Sequence, residues 1–387
     1  MTCVRRVFYF FISVGLVWTT IFCSISPALA ESERKTGYYT AVDDRSGRVI
    51  FRTGMIVKPG DKYLTQDNLF YRIARVRGLT AYANCLGRAD LSAAAGNRTG
   101  FFARLFQTAA GFFSSARAKP GPVAIYHTHS DESYVPSDGT SSKPGEGGIY
   151  QVGQSIAQSL KQEGISVEHS HADHNPHDGM AYERSRRTAV DLLKRNPAAL
   201  LDIHRDAGPR DEYAARINNN GVTQVQIVLG RSNPNLKANE AFAKQVKAIV
   251  DKKAPGLIKG IYYGEGKYNQ DLSSRALLLE LGTESNSKEA AERGAAIFAD
   301  AARSVVAAAG ASGPGGRFAA GGAWRSVLYI VGGVIALALV FLFLNSKGLG
   351  GAGRNLRKFF SQEFTSALGA KRRRSRRKRD DDPGNRG

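Results

Sequence analysis

The chain has 387 residues, enough for one or two globular domains with appendages and too few for three. At 42% hydrophobic, 23% charged and 9% aromatic it is neither wholly disordered nor fibrous. Lys and Arg number 54 against 34 Asp and Glu, and Asn345 to Gly387 alone holds 13 bases and 4 acids, a net +9. An excess gathered in one tail argues for a topological or surface role, not for a nucleic-acid-binding fold, and nucleic acid is not an expected partner.

Residues 1–30 carry Arg5 and Arg6, an uncharged apolar run from Val7 to Cys23 and the small-residue stretch Pro27-Ala28-Leu29-Ala30. That is the layout of a signal peptide or an N-terminal anchor, and either one exports the segment after it. The three cysteines, Cys3, Cys23 and Cys85, are too few and too scattered for a disulfide framework or a Cys-rich metal site, so any metal needs other ligands.

Residues 31–97 contain short alternating runs at Tyr38 to Val42, Val49 to Phe51, Met55 to Val57 and Leu69 to Val76, broken by Asp, Gly and Pro. They predict a small β subdomain. Residues 98–121 place Phe102, Leu105, Phe106, Ala109, Phe112 and Phe113 at helical spacing. This aromatic helical linker either packs on the domain or presents a face to membrane or partner.

From 122 to 309 the pattern alternates. Apolar runs at Val123 to Tyr126, Ile165 to His169, Leu200 to Ile203, Val225 to Leu229, Ile258 to Tyr263 and Ala276 to Leu281 read as strands. Val152 to Gln162, Tyr182 to Arg195, Leu236 to Lys252 and Lys288 to Ala308 read as helices. The expected fold class is α/β, a largely parallel twisted sheet flanked by helices. A Gly-rich linker at 310–326 leads to Val327 to Leu344, 18 uncharged residues that span about 27 Å as a helix and predict one transmembrane segment. The basic run Lys371 to Arg379 then puts residues 345–387 in the cytoplasm by the positive-inside rule, with the α/β domain outside. Within the tail, Leu356, Phe359, Phe360, Phe364 and Leu368 suit a helix on the inner membrane surface.

All seven histidines fall between His127 and His204. His129 and Glu132, spaced i, i+3 after the first α/β strand, can aim an imidazole and a carboxylate at one point, and His204 ends another apolar strand. Sheet ends are where α/β folds bind ligands. Two His and one Glu leave a fourth position open, the arrangement of catalytic zinc. Glu280, at the end of a wholly apolar strand, is placed to move a proton. Arg205 and Asp206, beside His204, are candidates to orient ligands or bind a substrate carboxylate. His127 reads as a core or supporting residue, and His169, His171, His174 and His177 as lining a cleft or facing solvent.

Tyr126-His-Thr-His-Ser-Asp-Glu-Ser-Tyr134, Ala181-Tyr-Glu-Arg-Ser-Arg186, Asp202-Ile-His-Arg-Asp-Ala207 and Glu280-Leu-Gly-Thr-Glu-Ser-Asn286 together resemble the stage II sporulation protein P family, whose catalytic domain is similar to zinc-dependent N-acetylmuramoyl-L-alanine amidases. The resemblance implies an exported peptidoglycan hydrolase of endospore formation that cuts the amide between muramic acid and L-alanine. It also implies an endopeptidase activity on cross-links and action beside stage II sporulation proteins D and M. By position, His129, Glu132 and His204 correspond to the Zn2+ ligands and Glu280 to the catalytic carboxylate. The chain departs from the family in adding a C-terminal helix and basic tail where the anchor is usually N-terminal. The rival readings are a zinc carboxypeptidase acting on stem peptides and a non-enzymatic wall-binding scaffold.

Overall fold

Val123–Tyr126, Ala199–Asp206, Val225–Gly230, Ile258–Gly264 and Ala276–Thr283 are buried at every position. Strands with no solvated face must be covered on both sides, which is what crossover helices do. In the computed structural model, which describes residues 34, 37–91, 121–309 and 333, these strands lie side by side in one eleven-stranded sheet, none of them at its edge.

The strands are β1 Tyr39–Asp43, β2 Val49–Thr53, β3 Lys62–Thr65, β4 Leu69–Arg77, β5 Thr80–Arg88, β6 Val123–Tyr126, β7 Val167–His169, β8 Ala199–Asp206, β9 Ala214–Ile217, β10 Asn220–Thr223, β11 Val225–Gly230, β12 Ile258–Gly264 and β13 Ala276–Thr283. The long helices are α1 Ile149–Gln162, α2 Ala181–Leu193, α3 Leu236–Lys253 and α4 Lys288–Ala309, with a single helical turn at Val135–Asp138. The sheet order is β2-β1-β5-β4-β3-β12-β11-β13-β8-β6-β7, with β9 and β10 as a separate hairpin.

The α/β expectation therefore holds as a mixed fold with a large helix-flanked sheet. Strands β13, β8, β6 and β7 run parallel, but β11 pairs antiparallel with β13 and carries β12 with it. The N-terminal strands do not close on themselves as a separate subdomain: β3 pairs antiparallel with β12 and carries them into the same sheet. Lys62 to Thr65 and Thr80 to Arg88, neither of them expected from sequence, supply two of those five strands.

Helix α1 buries Ile149, Val152, Ile156 and Leu160 along one stripe. With Phe242 and Val246 of α3 and Phe298 and Ala302 of α4 they cover the sheet face carrying Ile125, Leu201, Ile227 and Leu279. Each such fully buried aliphatic or aromatic side chain contributes about 1.5–3 kcal/mol. The opposite face takes α2 through Ala189, packed on Tyr126 and Leu200, and the curled N-terminal strands through Phe51 and Tyr63.

Among the described residues no helix is long and apolar enough to cross a membrane. The proposed leader (1–30), the aromatic linker (98–121 apart from Gly121) and, apart from residue 333, the segments 310–326, 327–344 and 345–387 lie outside the described residues.

Candidate metal centre

Strand β6 ends at Tyr126, and the chain folds into a loop whose backbone is pinned at several points. Lys143 N–H donates to the Asp131 carbonyl at 2.7 Å, Ser133 N–H to Ser141 at 3.0 Å, and Ile149 N–H, at the start of α1, to Glu132 at 3.0 Å. Residues 127 to 134 are all buried. A loop held this firmly keeps its side chains in place without help from a ligand.

Within it His129 Nδ1 lies 3.2 Å from Glu132 Oε1, and His204 Nδ1, from the end of β8, lies 3.3 Å from the same oxygen. The other carboxylate oxygen, Oε2, accepts the Arg205 backbone N–H at 2.9 Å, which fixes the orientation of Glu132. One ligand atom from each of His129, Glu132 and His204 falls within 4.8 Å of the others, the one such group among the described residues. Three residues spread over 75 positions of sequence are thus brought together.

The electrostatics of the cluster call for positive charge. Burial works against protonation of His204, but the Asp202 and Glu132 carboxylates outweigh it and hold the ring well above its ordinary pKa. Burial likewise opposes ionisation of Glu132, yet His204 and His129 hold its carboxyl well below the usual range. Burial pushes His129 down, and its Nε2, itself buried, has no hydrogen-bond partner. An orphaned imidazole nitrogen, a fixed carboxylate and a second imidazole that retains a proton for want of another cation fit a divalent metal; nitrogen and oxygen donors in this number suit zinc.

Asp202, to which the sequence alone assigned no role, supports the set. Its Oδ1 lies 3.0 Å from His204 Nε2, and it accepts the Thr128 N–H at 2.9 Å and hydroxyl at 2.6 Å. A carboxylate behind a ligating imidazole fixes ring and tautomer. The signal was in the sequence: Asp202 precedes His204 by two on a strand and so shares its face. We expect Asp202→Asn to weaken metal affinity about 10–100-fold with the fold retained, as chelator competition would measure.

Two aromatic groups wall the cluster. His177 stacks on His129 with ring centroids 3.9 Å apart, and its Nδ1 lies 3.0 Å from Asp131. Tyr182 of α2 stands edge-on to His129 at 5.6 Å and parallel to His204 at 6.3 Å. His177 reads from sequence as lining a cleft or facing solvent; which of the two, and the place of Tyr182, are not legible from spacing, since the loop and α2 reach the sheet end only through the tertiary fold.

Glu280 sits on β13 directly opposite His204, buried at 2% exposure. Two residues on, Gly282 adopts φ +82° and the β13–β8 register shifts. This conformation favours glycine and bulges the strand just past the carboxylate, after which Thr283 pairs with Asp206.

Arg205 keeps its side chain near the loop, Nη2 donating to the Ser141 carbonyl at 3.2 Å. Asp206 turns away to the N-terminal strands. Its Oδ1 accepts Thr53 Oγ1 at 2.8 Å and Gly54 N–H at 2.9 Å, and its Oδ2 accepts Tyr213 OH at 2.9 Å. A fully buried anion so engaged joins β2 to β8, and its charge would repel a substrate carboxylate, so the expectation that it binds one is corrected to a structural role.

His127 points into the core, Nδ1 at 3.0 Å from the Ile203 carbonyl and Nε2 at 2.8 Å from His169 Nε2. Helix α1 admits these rings because of Gly153, where a Cβ would lie 2.6 Å from His127 Cε1. His174 bridges the His127 carbonyl and Thr188, and His171 lies exposed beside His169. Burial holds His169 down to about 3. Its folded pKa lies below the unfolded value near 6.5, so its neutral form stabilises fully above that pH and the contribution is lost as pH falls from 6.5 toward 3. We expect about 3 kcal/mol of stability to disappear between pH 7 and 4, and His169→Gln to flatten that slope in denaturant melts.

A mixed α/β protein with a buried His–Glu–His cluster at its sheet end is, as a class, one whose side chains could hold a metal ion. The stage II sporulation protein P family matches residues 92–303. The chain belongs to that family. It is 32% identical over 197 residues to stage II sporulation protein P of Bacillus subtilis (strain 168), a stretch that is 46% of this chain and 49% of the relative, so the match spans about half the length of the curated relative. Similar solved structures include the N-acetylmuramyl-L-alanine amidase Ami1 of Mycobacterium abscessus (18% identity, 49% of this chain and 99% of that one, TM-score 0.32). Another is the N-acetylmuramoyl-L-alanine amidase of Clostridium difficile 630 (16%, 50% and 95%, TM-score 0.32). A third is the CwlD amidase of Clostridioides difficile in complex with the GerS lipoprotein (13%, 48% and 99%, TM-score 0.30).

Proposed function

We propose that the protein is a zinc-dependent peptidoglycan hydrolase of sporulation that cuts the amide between N-acetylmuramic acid and L-alanine, with a further endopeptidase action on stem peptides. The observation that carries this is the convergence of His129, Glu132 and His204 on one point with Glu280 opposite His204, in a chain of the stage II sporulation protein P family. When bound, zinc supplies Lewis acidity and makes an attacking water acidic near neutral pH.

The chain's own residues do the rest. His129, Glu132 and His204 hold the ion, and Asp202 and the Arg205 N–H keep the donors aimed. Glu280 takes a proton from the attacking water and returns it to the departing amine. His177 and Tyr182 exclude bulk water from one side of the cluster and present ring surface to the substrate.

The charge and hydropathy pattern of the ends supports a membrane protein with its α/β domain outside the cytoplasm, held through Val327 to Leu344, with the basic tail inside. Stage II sporulation proteins D and M are the partners this reading proposes. The test is mass spectrometry of products released from purified sacculi by the full-length zinc-loaded chain. Intact stem peptides with a free N-terminal alanine are expected. Free terminal amino acids with stems still on the glycan would replace the reading with a carboxypeptidase, and binding without soluble product would replace it with a scaffold.

A further inference from the structure

Strand β7 is the outermost strand at one edge of the large sheet, and the imidazoles at its end take no part in the cluster around Glu132. His169 Nδ1, on β7, lies 3.2 Å from His171 Nε2 and 3.3 Å from Gln154 Oε1 of α1. Two nitrogens and an oxygen thus meet near the surface: His171 is exposed, and His169 and Gln154 are half-buried.

One backbone group sets the tautomers. The Ile203 carbonyl can only accept, so His127 Nδ1 carries a proton. A second proton on that ring would place a charge at 1% exposure with a carbonyl and an imidazole as its hydrogen-bond partners, a costly arrangement. His127 Nε2 therefore holds a lone pair, and His169 Nε2, 2.8 Å away, donates to it. His169 Nδ1 is left with a lone pair of its own, facing His171 and the Gln154 oxygen. An imidazole whose second nitrogen is tied by a hydrogen bond is the form in which histidine ligates metals.

The spacing suits one ion. Donors about 2.0–2.1 Å from a metal, at angles between square and tetrahedral, lie about 2.9–3.4 Å apart, and the two imidazole nitrogens fall inside that range. The rings are held where they stand. On α1 a Cβ at Gly153 would lie 2.9 Å from His169 Nε2, so glycine makes the room. Tyr150 backs the His171 ring at 5.2 Å between centroids, and its hydroxyl donates to the Ala172 carbonyl at 3.2 Å. Imidazole donors without a carboxylate do not suit calcium or magnesium, and they do suit zinc, nickel and copper.

We infer that His169, His171 and Gln154 form a second metal site, for a late first-row divalent ion, that ties α1 to the edge strand of the sheet. The site stands apart from the hydrolase reading, since none of its residues belongs to the His129, Glu132 and His204 set. The experiment is equilibrium dialysis of the full-length chain, in mild detergent, against Zn2+ alone. Two classes of bound zinc are expected in the parent chain. His171→Ala, at an exposed position, should weaken the looser class by at least about tenfold and keep the tighter one, whose retention reports that the fold is intact. His129→Ala should do the reverse. Zinc at concentrations that fill the looser class should raise the melting temperature of the parent and not of His171→Ala. A single class of zinc, or a looser class equal in the parent and in His171→Ala, overturns the second site. If the tighter class is absent while the looser one still depends on His171, the zinc hydrolase reading fails and the second site stands.

Discussion

His204→Ala should abolish metal binding and lower wall hydrolysis by at least about 10³-fold, equivalent to about 4 kcal/mol of transition-state stabilisation, and it should also destabilise the fold. His129→Ala should remove the metal and activity to the same extent at a smaller cost in stability. The difference comes from where each ring stands. His204 lies between two buried carboxylates, with Nδ1 3.3 Å from Glu132 and Nε2 3.0 Å from Asp202. Without it, Glu132 and Asp202 lose the positive charge between them, and breaking such a buried pair costs about 3–5 kcal/mol. His129 is paired with one carboxylate, Glu132, and that carboxylate would still have His204 and the Arg205 N–H. Metal analysis, sacculus hydrolysis and denaturant melts on the two variants separate these effects. Equal stability losses would mean that His204 is not the charged member of the cluster, and retained metal in either variant would remove that residue from the donor set.

How much of this is legible in the sequence divides along physical lines. Strands β6, β8, β11, β12 and β13 and the four long helices are readable because each obeys a local rule, an apolar run buried on both faces or a stripe at helical spacing; β9 and β10, short and half exposed, obey neither and are not expected from sequence. Val225–Gly230 and Lys288–Ala309 fall within a few residues of their expected limits. Direction is not readable. Nothing local to Val225–Gly230 says that it runs antiparallel to β13; the connection from β8 to β11 holds only a short turn and the hairpin β9–β10, with no crossover helix of the kind a parallel return needs. The incorporation of β1 to β5 is hidden for a similar reason, since one pairing between Lys62–Thr65 and β12 decides it.

The site shows the same division. His129, Glu132, His204 and Glu280 stand at strand ends and draw attention by type and position. Asp202 shares a face with His204 and is within reach of the same reasoning. Asp206 sits two residues further along the same strand, and its diversion to Thr53 and Tyr213 depends on where the N-terminal strands pack. His177 and Tyr182 acquire their places only when the loop and α2 close over the sheet end.

Glu280→Gln separates the carboxylate that moves protons from those that hold the ion. We expect the variant to keep its zinc and fold while activity falls about 10³-fold, within the 10²–10⁴ that a positioned acid–base group contributes. The substitution is nearly isosteric at a site only 2% exposed, so packing against β8 and β11 is preserved, and stability should change by less than about 1 kcal/mol. An amide can still accept a hydrogen bond but cannot take the proton of an attacking water and hand it on. Glu280→Asp keeps the chemistry and withdraws the carboxylate by one methylene, so it should recover part of the lost rate, with kcat affected more than KM. Zinc content, melting and kinetics on the two variants decide the assignment. Loss of zinc from Glu280→Gln would make Glu280 a ligand and reopen the role of Glu132, and unchanged kcat in Glu280→Gln would move the proton-transfer role to another residue of the cluster.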